Sequence, residues 1–385
     1  WKYNQLIEQN AYLFKPDIYQ GATPADWKYP YVRIAYANVV LDGIKKIKQT
    51  KDNLIEWNQL KGSALFFRAY SFYDLVQLFA KPYDTETSNT DPGILIRLES
   101  DINVKYPRAT VQECYERILS DLQVADSLLP VASVNALRPS KIAALALLAR
   151  VNLAMGNYVS ALSNANKALE IQHTLIDLNS LDTLAKVPFP SLKAGNKEVL
   201  FYSKIIGYGT FWYSTLRVDS LLYNSYSNDD LRRLIFFKQR GKNDIDFKGQ
   251  YTGLRYDLFS GISINELFLI RAECYARQNN IIEAMAALNS LLVTRWKAGS
   301  FVPLIANGED DALRKILEER RKEIPFNGNL RWEDLRRLNK DSRFEKTQIR
   351  ILNGETFLLP PNDKRYVYAL PDIEIQLSGL QQNPR

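Results

Sequence analysis

Among the 385 residues, those with the most evident binding chemistry are four aromatic rings within six positions. They lie beside Gly207 and Gly209 and are Tyr208, Phe211, Trp212 and Tyr213. A flat ring fits the apolar C–H face of a sugar, and nearby Asn, Asp, Arg or Tyr side chains can bond to the sugar hydroxyl groups. Because exposing so many rings is costly without a ligand, the segment predicts a glycan-binding surface. The alternative is a hydrophobic plug beneath a surface loop.

Two further aromatic residues are candidates for ligand binding. Tyr83 follows Pro82 in the loop that leaves a predicted helix. Trp27 stands at a helix start, after the turn-like segment 21–26, and could equally belong to the core or to the rim of a pocket. Tyr31 lies four residues later on the same helix face and is predicted to pack in the core.

The sequence offers little for catalysis or metal binding. His173 is the single histidine, and no serine or cysteine stands in a recognisable nucleophile motif. The acidic residues Asp84, Glu86 and Asp91 lack the spacing and the glycine turn of a calcium loop. Two carboxylates could hydrolyse a glycoside without histidine, but 43 acidic residues make some suitable pair inevitable. We therefore predict no enzyme activity, no metal and no cofactor.

Opposite charges are dense between Glu319 and Arg337. They could bind an anionic ligand. The interpretation that we favour is structural: the acids Glu319, Glu323 and Asp334 pair with arginines and fix how the helix docks. The expected partners are Arg320, Arg336 and Arg337.

Composition excludes several classes of protein. The chain is 46% hydrophobic and 24% charged, as expected of a globular protein with a large core. Its longest apolar run, residues 142–149, is far shorter than the roughly 20 residues that cross a bilayer. The net charge of +7 is spread along the chain, which argues against nucleic-acid binding. Cys114 and Cys274 both fall in helical patterns, so no disulfide scaffold is predicted.

Helical periodicity dominates, and one pattern occurs twice. Apolar residues recur every three or four positions between Ser63 and Phe79, and Thr110 with Glu113 forms a capping-box pattern. Further helices are predicted to begin at Pro139, Ser263 and Asn280 and to run over 311–323. The segments starting at Ala149 and Ala272 share small residues and a turn at a constant offset of 123, which is the tetratricopeptide helix–turn–helix pattern.

The sequence between these repeats has a different composition and no regular helical pattern. Residues 171–262 are irregular and rich in glycine and proline, with one short predicted strand at 198–203. About ninety residues are too many for a plain loop, so we predict a packed, ligand-facing insertion. The fold class predicted is all-α, with tetratricopeptide-like hairpins over 30–170 and 263–340, the insertion over 171–262, and a single domain over 1–385.

Four stretches form an ordered set of motifs along the chain. They are Trp27-x3-Tyr31-x2-Ile34-x2-Ala37-Asn38-x2-Leu41; Arg68-Ala69-Tyr70 through Tyr73-x-Leu75-Val76-x2-Phe79, then Pro82; residues 316–323 followed by Phe326, Gly328, Arg331-Trp332 and 334–337; and Leu370-Pro371-Asp372-Ile373-Glu374 through 380–384. In this order they resemble the SusD/RagB family, the surface-exposed, nutrient-binding outer-membrane lipoproteins of Bacteroidota-type bacteria.

The resemblance implies a function and a location. It implies a SusD-like α/α superhelix that binds a glycan without chemistry and delivers it to a SusC-like TonB-dependent transporter. It also implies a lipid anchor that would hold the protein on the outer face of the outer membrane, on a cysteine that is not in this sequence. Aromatic platforms of this family vary in position, so no ring is assigned by motif.

Three alternatives stay open at this stage. RagB-like members are associated with oligopeptide uptake, which would need a groove that matches a peptide backbone. A tetratricopeptide adaptor would grip a protein tail with uninterrupted repeats, against which the long insertion argues. A glycosidase using two carboxylates would turn over a polysaccharide.

Overall fold

The computed structural model describes residues 4–208, 216–241 and 244–385. Thirteen helices lie in this described part: α1 Leu6–Tyr12, α2 Ala25–Ile44, α3 Leu54–Phe79, α4 Val111–Leu128, α5 Lys141–Ala154, α6 Tyr158–Ile171, α7 Ser220–Asn224, α8 Arg232–Phe236, α9 Ile264–Arg277, α10 Ile281–Leu292, α11 Glu309–Glu323, α12 Leu330–Leu338 and α13 Asp372–Ser378. None of these helices is both long and apolar enough to cross a membrane.

Eight short strands accompany the helices in the same residues. They form antiparallel pairs of two, β1 with β2, β3 with β6, β4 with β5 and β7 with β8. Their bounds are β1 Pro92–Leu95, β2 Arg108–Thr110, β3 Val199–Phe201, β4 Phe237–Gly241, β5 Asp244–Phe247, β6 Ile262–Ser263, β7 Gln348–Leu352 and β8 Glu355–Leu359. The predicted all-α class with a few short strands is confirmed.

The chain divides into two compact units. The first unit comprises 1–130, 154–156 and 332–385, and the second comprises 131–153 and 157–331. The predicted organisation, a single domain over 1–385 with scaffold ranges 30–170 and 263–340 and an insertion over 171–262, stays a prediction.

Helix α3 is the centre of the first unit and packs against α2 and α4. Its apolar side chains surround the helix, and Phe66, Phe72, Leu75 and Phe79 are completely buried. At Gly62 an added Cβ would lie 3.0 Å from the Leu129 side chain, so the glycine permits a close approach at the end of α4. A helix that is hydrophobic all round is stable only when covered on every side, which is the position of α3.

The predicted capping box begins α4. The Thr110 hydroxyl accepts from the Glu113 N–H at 3.1 Å, and the Glu113 carboxylate accepts from the Thr110 N–H at 2.7 Å. Two of the N–H groups that a helix start leaves without a backbone acceptor are thereby satisfied.

We expect Thr110→Ala to lower the free energy of unfolding by about 1 kcal/mol, because one of these N–H groups loses its acceptor. Urea denaturation measures the change. The matched control is Thr90→Ala in an exposed turn, which should shift the midpoint much less. Equal shifts for the two variants would contradict a capping role.

Helix α9 is the centre of the repeated pattern in the second unit and packs against α6, α10 and α11. Alanines in these helices, among them Ala161, Ala165, Ala272 and Ala284, are fully buried, which lets the backbones approach closely. The turns before α6 and α10 carry positive φ angles of 76° at Gly156 and 57° at Asn279. Glycine and asparagine tolerate this conformation best, so the repeat places suitable residues at both turns.

At one predicted helix start, Ser263, the side chains make contacts other than a capping box. Ser263 does precede α9, but its hydroxyl donates to the Asn265 side chain at 2.6 Å and makes no cap. Glu266 instead pairs with Arg150 through two bonds of 2.9 and 2.6 Å. The sequence pattern S-x-x-E was therefore misleading here, because the tertiary ion pair competes with the local box.

The irregular residues between the repeats have a hydrophobic core of their own. Phe236, Phe237, Phe247, Tyr251 and Phe259 are buried in one cluster. The Phe189 and Tyr251 rings stack at 4.4 Å between centroids. The strand predicted at 198–203 is present as β3 over Val199–Phe201 and pairs with β6. A packed aromatic core explains how so long a segment without repeats is held in place.

Candidate functional site

The structure describes three of the six aromatic residues that were predicted to bind a ligand. Phe211, Trp212 and Tyr213 lie outside the described residues. Trp27 is only 3% exposed, with its ring 4.8 Å from Tyr31 and 4.9 Å from Phe79. Trp27 is therefore a core residue, which is one of the two places that the sequence left open, and its assignment to the ligand-binding residues is wrong. The physical reason is that α2 docks this face onto α3, which sequence periodicity alone could not orient.

Tyr83 is half-buried in the loop that follows α3. Its hydroxyl donates to Gln112 Oε1 at 2.7 Å, and its ring meets Tyr115 edge-on at 5.2 Å. Its neighbours Pro82 and Asp84 line a cavity of about 510 Å³ within the first unit. The assignment of Tyr83 to the ligand-binding residues stays a prediction.

Tyr208 lies at the end of an extended segment of the second unit, and its side chain is half-buried. The segment pairs with residues 257–260. The Ile205 N–H donates to Leu258 O at 2.9 Å, and the Ser260 N–H donates to Ser203 O at 2.9 Å. We call residues 202–208 and 254–258 the insertion edge.

Polar groups cluster on the insertion edge beside the aromatic residues. Lys204 Nζ lies 3.0 Å from Asp257 Oδ2, and both side chains are partly exposed. Burial and the nearby Asp257 carboxylate raise the pKa of Tyr202. The Tyr202 hydroxyl therefore stays protonated at neutral pH and can donate a hydrogen bond. The edge thus presents an ammonium, a carboxylate and a phenol, which together can donate to and accept from sugar hydroxyl groups.

Tyr256 is an exposed ring on the insertion edge that sequence reasoning missed. Its side chain is 63% exposed, and the Arg255 guanidinium lies 5.3 Å from the ring centroid. The buried Thr252 hydroxyl fixes this loop through a bond of 2.6 Å to Asp257 O. The loop also turns at Gly253, whose φ is 66° and where a Cβ would lie 2.3 Å from Ser191 Cα. In the sequence, a tyrosine three residues after a turn glycine could have indicated this exposed ring.

The charged cluster around α11 is structural, as the favoured interpretation holds, but most of its predicted partners are wrong. Glu319 pairs with Arg232 at 2.6 Å, and Glu323 pairs with Arg295 at 2.8 Å. Only Asp334 finds a predicted partner, Arg337, at 2.9 Å. Arg232 and Arg295 come from distant positions in the sequence, which explains why spacing could not identify them.

The ion pairs of Glu319 and Glu323 belong to one buried network in the second unit. Arg295 joins Glu323 to Glu198, and Glu198 also accepts from Tyr251 at 2.9 Å. Arg232 joins Glu323 and Glu319 to Asp230. Because each of the two arginines already has at least two carboxylates beside it, the network holds α11 in place and leaves no free cation for an anionic ligand.

Comparison with known proteins finds a family model that matches part of the chain and solved structures that share its fold. Residues 2–153 match the SusD-like family model described as starch-binding associating with outer membrane. The SusD-like protein P2 of Formosa agariphila is 25% identical over 381 residues, covering 83% of this chain and 72% of that protein.

Solved structures share the architecture. A putative sugar binding protein from Bacteroides vulgatus has a TM-score of 0.76 at 24% identity, covering all of this chain and 89% of that one. A SusD superfamily protein from the same species has a TM-score of 0.80 at 21% identity, covering 99% and 90%. At 24% and 21% sequence identity, the similarity to these two structures shows a shared fold. The resemblance to the SusD/RagB family is thereby confirmed, by a family match over residues 2–153 and by a SusD fold along the whole chain.

Proposed function

We propose that this protein binds glycans at the insertion edge and does not cleave them. The observation that carries the proposal is the group of Tyr202, Lys204 and Asp257 on an exposed edge that leads directly into Tyr208 and the aromatic run after it. Rings supply the apolar face that a sugar needs, and the three polar groups match its hydroxyl edge. The starch-binding description of the matching family supports the same ligand class.

The proposal also covers where the protein lies in the cell and which protein receives its ligand. Because residues 2–153 match a family described as associating with the outer membrane, we propose that the protein holds glycans at the cell surface. A lipid anchor would keep it on the outer face of that membrane, where a SusC-like TonB-dependent transporter would receive the ligand. Because one lipid chain alone binds a membrane only marginally, contact with the transporter would contribute to retention. Co-purification with a TonB-dependent barrel from the native membrane tests the partner.

We expect Tyr208→Ala and Trp212→Ala each to weaken glycan binding about tenfold, equivalent to about 1.4 kcal/mol, because each removes one stacking ring. Isothermal titration calorimetry against a panel of neutral oligosaccharides measures the change. The melting temperature should barely move for either variant, since a ring that binds ligand contributes little to the core.

The matched control is Tyr36→Ala, which removes a tyrosine that is 71% exposed on α2 of the first unit. It should leave glycan affinity unchanged. A variant of Tyr208 or Trp212 that loses affinity and melting temperature together would assign its ring to the core. Preferential binding of oligopeptides over every glycan would contradict the ligand class, and sustained release of sugars by pure protein would contradict the absence of catalysis.

A further inference from the structure

Helix α2 has an apolar side that no element in the described part of the chain covers. Its members are between 38% and 71% exposed, and they are Tyr29, Val32, Tyr36, Val39 and Val40. Each lies three or four residues from another member, so all five project from one side of the helix. We call these five residues the α2 stripe.

The opposite side of α2 is the one that the fold buries. Trp27, Ile34 and Leu41 are buried there, and α2 packs against α3. A helix at the surface of a globular protein normally carries charged or polar residues on its solvent side, but α2 is apolar on both sides. Contiguous exposed apolar residues mark interaction sites. The α2 stripe is therefore expected to have a partner.

One edge of the α2 stripe begins with a free positive charge. Lys28, Ala35 and Asp42 recur every seven residues, so they follow this edge along the helix. Lys28 is exposed and makes no ion pair in the described residues, and Ala35 is small and uncharged. Asp42 pairs with Lys45 at 2.9 Å, so its charge is balanced.

Residues 99 and 100 add a negative charge to the other end of the same edge. The Asn38 amide donates to Glu99 O at 3.1 Å, and the Ser100 N–H donates to Asp42 at 2.8 Å. These two bonds hold the segment against the last two turns of α2. The Glu99 side chain is exposed and has no ion pair within the described ranges. The edge thus has a free cation at its beginning and a free anion at its end.

We propose that the α2 stripe binds the same stripe of a second copy of this chain, with the two helices antiparallel. The members at positions 29, 32, 36 and 39 are separated by three, four and three residues, the alternation with which two helices pack side by side. The two-fold axis lies at the level of position 34. Tyr29 of one copy is then level with Val39 of the other. Val32 is likewise level with Tyr36, so every layer combines one ring with one valine.

The charges of the edge favour this antiparallel orientation. Lys28 of one copy is level with position 40 of the other, between the two bonds that hold residues 99 and 100 beside that helix. Opposite charges therefore come together at both ends of the contact. In a parallel pair, Lys28 would face Lys28, and Glu99 would face Glu99.

Other charged residues near the α2 stripe are compatible with this arrangement. Arg33, on the opposite edge near the two-fold axis, is bound to Asp74 at 2.6 Å, so its charge is balanced within each copy. Lys46 follows the end of α2 and is level with residues 21–24 of the second copy, which carry no charge.

The α2 stripe has the size of a weak interface. The exposed parts of its five side chains come to roughly 500 Å² in each copy, so two copies would bury roughly 1,000 Å², at the lower end of specific protein interfaces. A reversible dimer is therefore expected, not an obligate one. Such a dimer would present two insertion edges to one polysaccharide, a consequence that depends on the proposed function.

Sedimentation velocity of the full chain, from about 2 to about 200 μM, tests the proposal. We expect the sedimentation coefficient to rise with concentration from that of a monomer to that of a dimer. Val39→Asp should weaken dimerisation at least tenfold, because it places a carboxylate in an apolar contact. The matched control is Val159→Asp, which changes an exposed valine on α6 of the second unit and should leave the dimer intact.

A reversal of charge tests the orientation. Lys28→Glu should weaken the dimer several-fold, because the new carboxylate faces Glu99 of the second copy. Adding Glu99→Lys should recover the lost affinity, since the opposite charges are then exchanged. In a parallel pair the second change would bring no recovery, and that result would overturn the antiparallel arrangement. Both positions are exposed, so these variants should melt like the wild type.

Three results would overturn the proposal as a whole. The first is a chain that remains monomeric at the highest concentration. The second is a Val39→Asp protein that is folded by circular dichroism and dimerises normally. The third is a monomer that binds vesicles of phosphatidylcholine and phosphatidylglycerol and loses this binding with Val39→Asp, which would assign the α2 stripe to a lipid surface.

Discussion

Arg295→Met is expected to lower the free energy of unfolding by about 3–5 kcal/mol at pH 7, because it leaves a buried carboxylate without its cation. Arg295 is completely buried and lies 3.0 Å from Glu198 and 2.8 Å from Glu323. Glu323 keeps a second cation, Arg232, at 3.1 Å. Among the described residues, Glu198 then keeps only neutral partners, Tyr251 and the Ile176 N–H. Urea denaturation followed by circular dichroism measures the loss.

The pH dependence of that loss identifies its cause. Burial already raises the pKa of Glu198, although Arg295 opposes the shift. Without Arg295 the folded-state pKa rises further above the unfolded value. A carboxyl with a raised folded pKa costs stability when ionised, and this cost disappears as pH falls below the unfolded value. The difference between wild type and Arg295→Met should therefore narrow between pH 8 and pH 5.

Two further variants make this result decisive. Adding Glu198→Gln to Arg295→Met should recover part of the stability, because the buried charge is removed with its partner. Arg314→Met removes an exposed arginine whose nearest carboxylate oxygen is 3.8 Å away, and should change stability by less than about 0.5 kcal/mol. A difference between wild type and Arg295→Met that is constant with pH would instead indicate lost packing.

Gly261→Ala is expected to cost roughly 3 kcal/mol or more, at or above the upper end of overpacking effects. A Cβ at Gly261 would lie 2.0 Å from the Phe201 carbonyl oxygen and 2.7 Å from the Phe259 ring. The carbonyl belongs to β3, which pairs with β6 immediately after the glycine, so relief requires the strands to separate. The Gly261 carbonyl also accepts from Arg150 at 2.9 Å, and that bond would be disturbed. Thermal unfolding or urea denaturation measures the effect.

Gly207→Ala is the matched control in the same unit. No atom of the described residues lies within 4 Å of the Cβ position at Gly207. This variant should unfold like the wild type. A Gly261→Ala protein as stable as Gly207→Ala would mean that β3 and β6 can move apart without cost, and would contradict a rigid attachment of the insertion edge.

Local chemistry explains which elements could be predicted from the sequence. Helix α3 was predicted from residue 63 but begins at Leu54, because the first residues of the helix are largely exposed and carry no apolar pattern. The box at Thr110 and Glu113 was correct, since both partners lie within one turn. Ser263 has the same spacing but no box, because Glu266 bonds to Arg150, more than a hundred residues away in the chain.

The candidate sites were less predictable than the helices. The sequence marked aromatic residues, but it could not distinguish the buried ring of Trp27 from the exposed ring of Tyr256. That difference depends on which helix or loop covers each ring. The cavity beside Tyr83 had no sequence signal, because its walls come from four separate segments of the first unit.

By itself, the sequence determined the helical class, the repeated alanine-rich hairpins and the resemblance to the SusD/RagB family, because periodicity, turns and motifs are encoded within short stretches. Only the tertiary structure decided which charges pair, which rings remain exposed and which side of α2 is left uncovered. Ion pairs and cavities join residues far apart in the chain, and burial sets their energies. Arg295 and Glu198 illustrate this division: each is an ordinary charged residue in the sequence, and together they hold one of the most consequential contacts of the second unit.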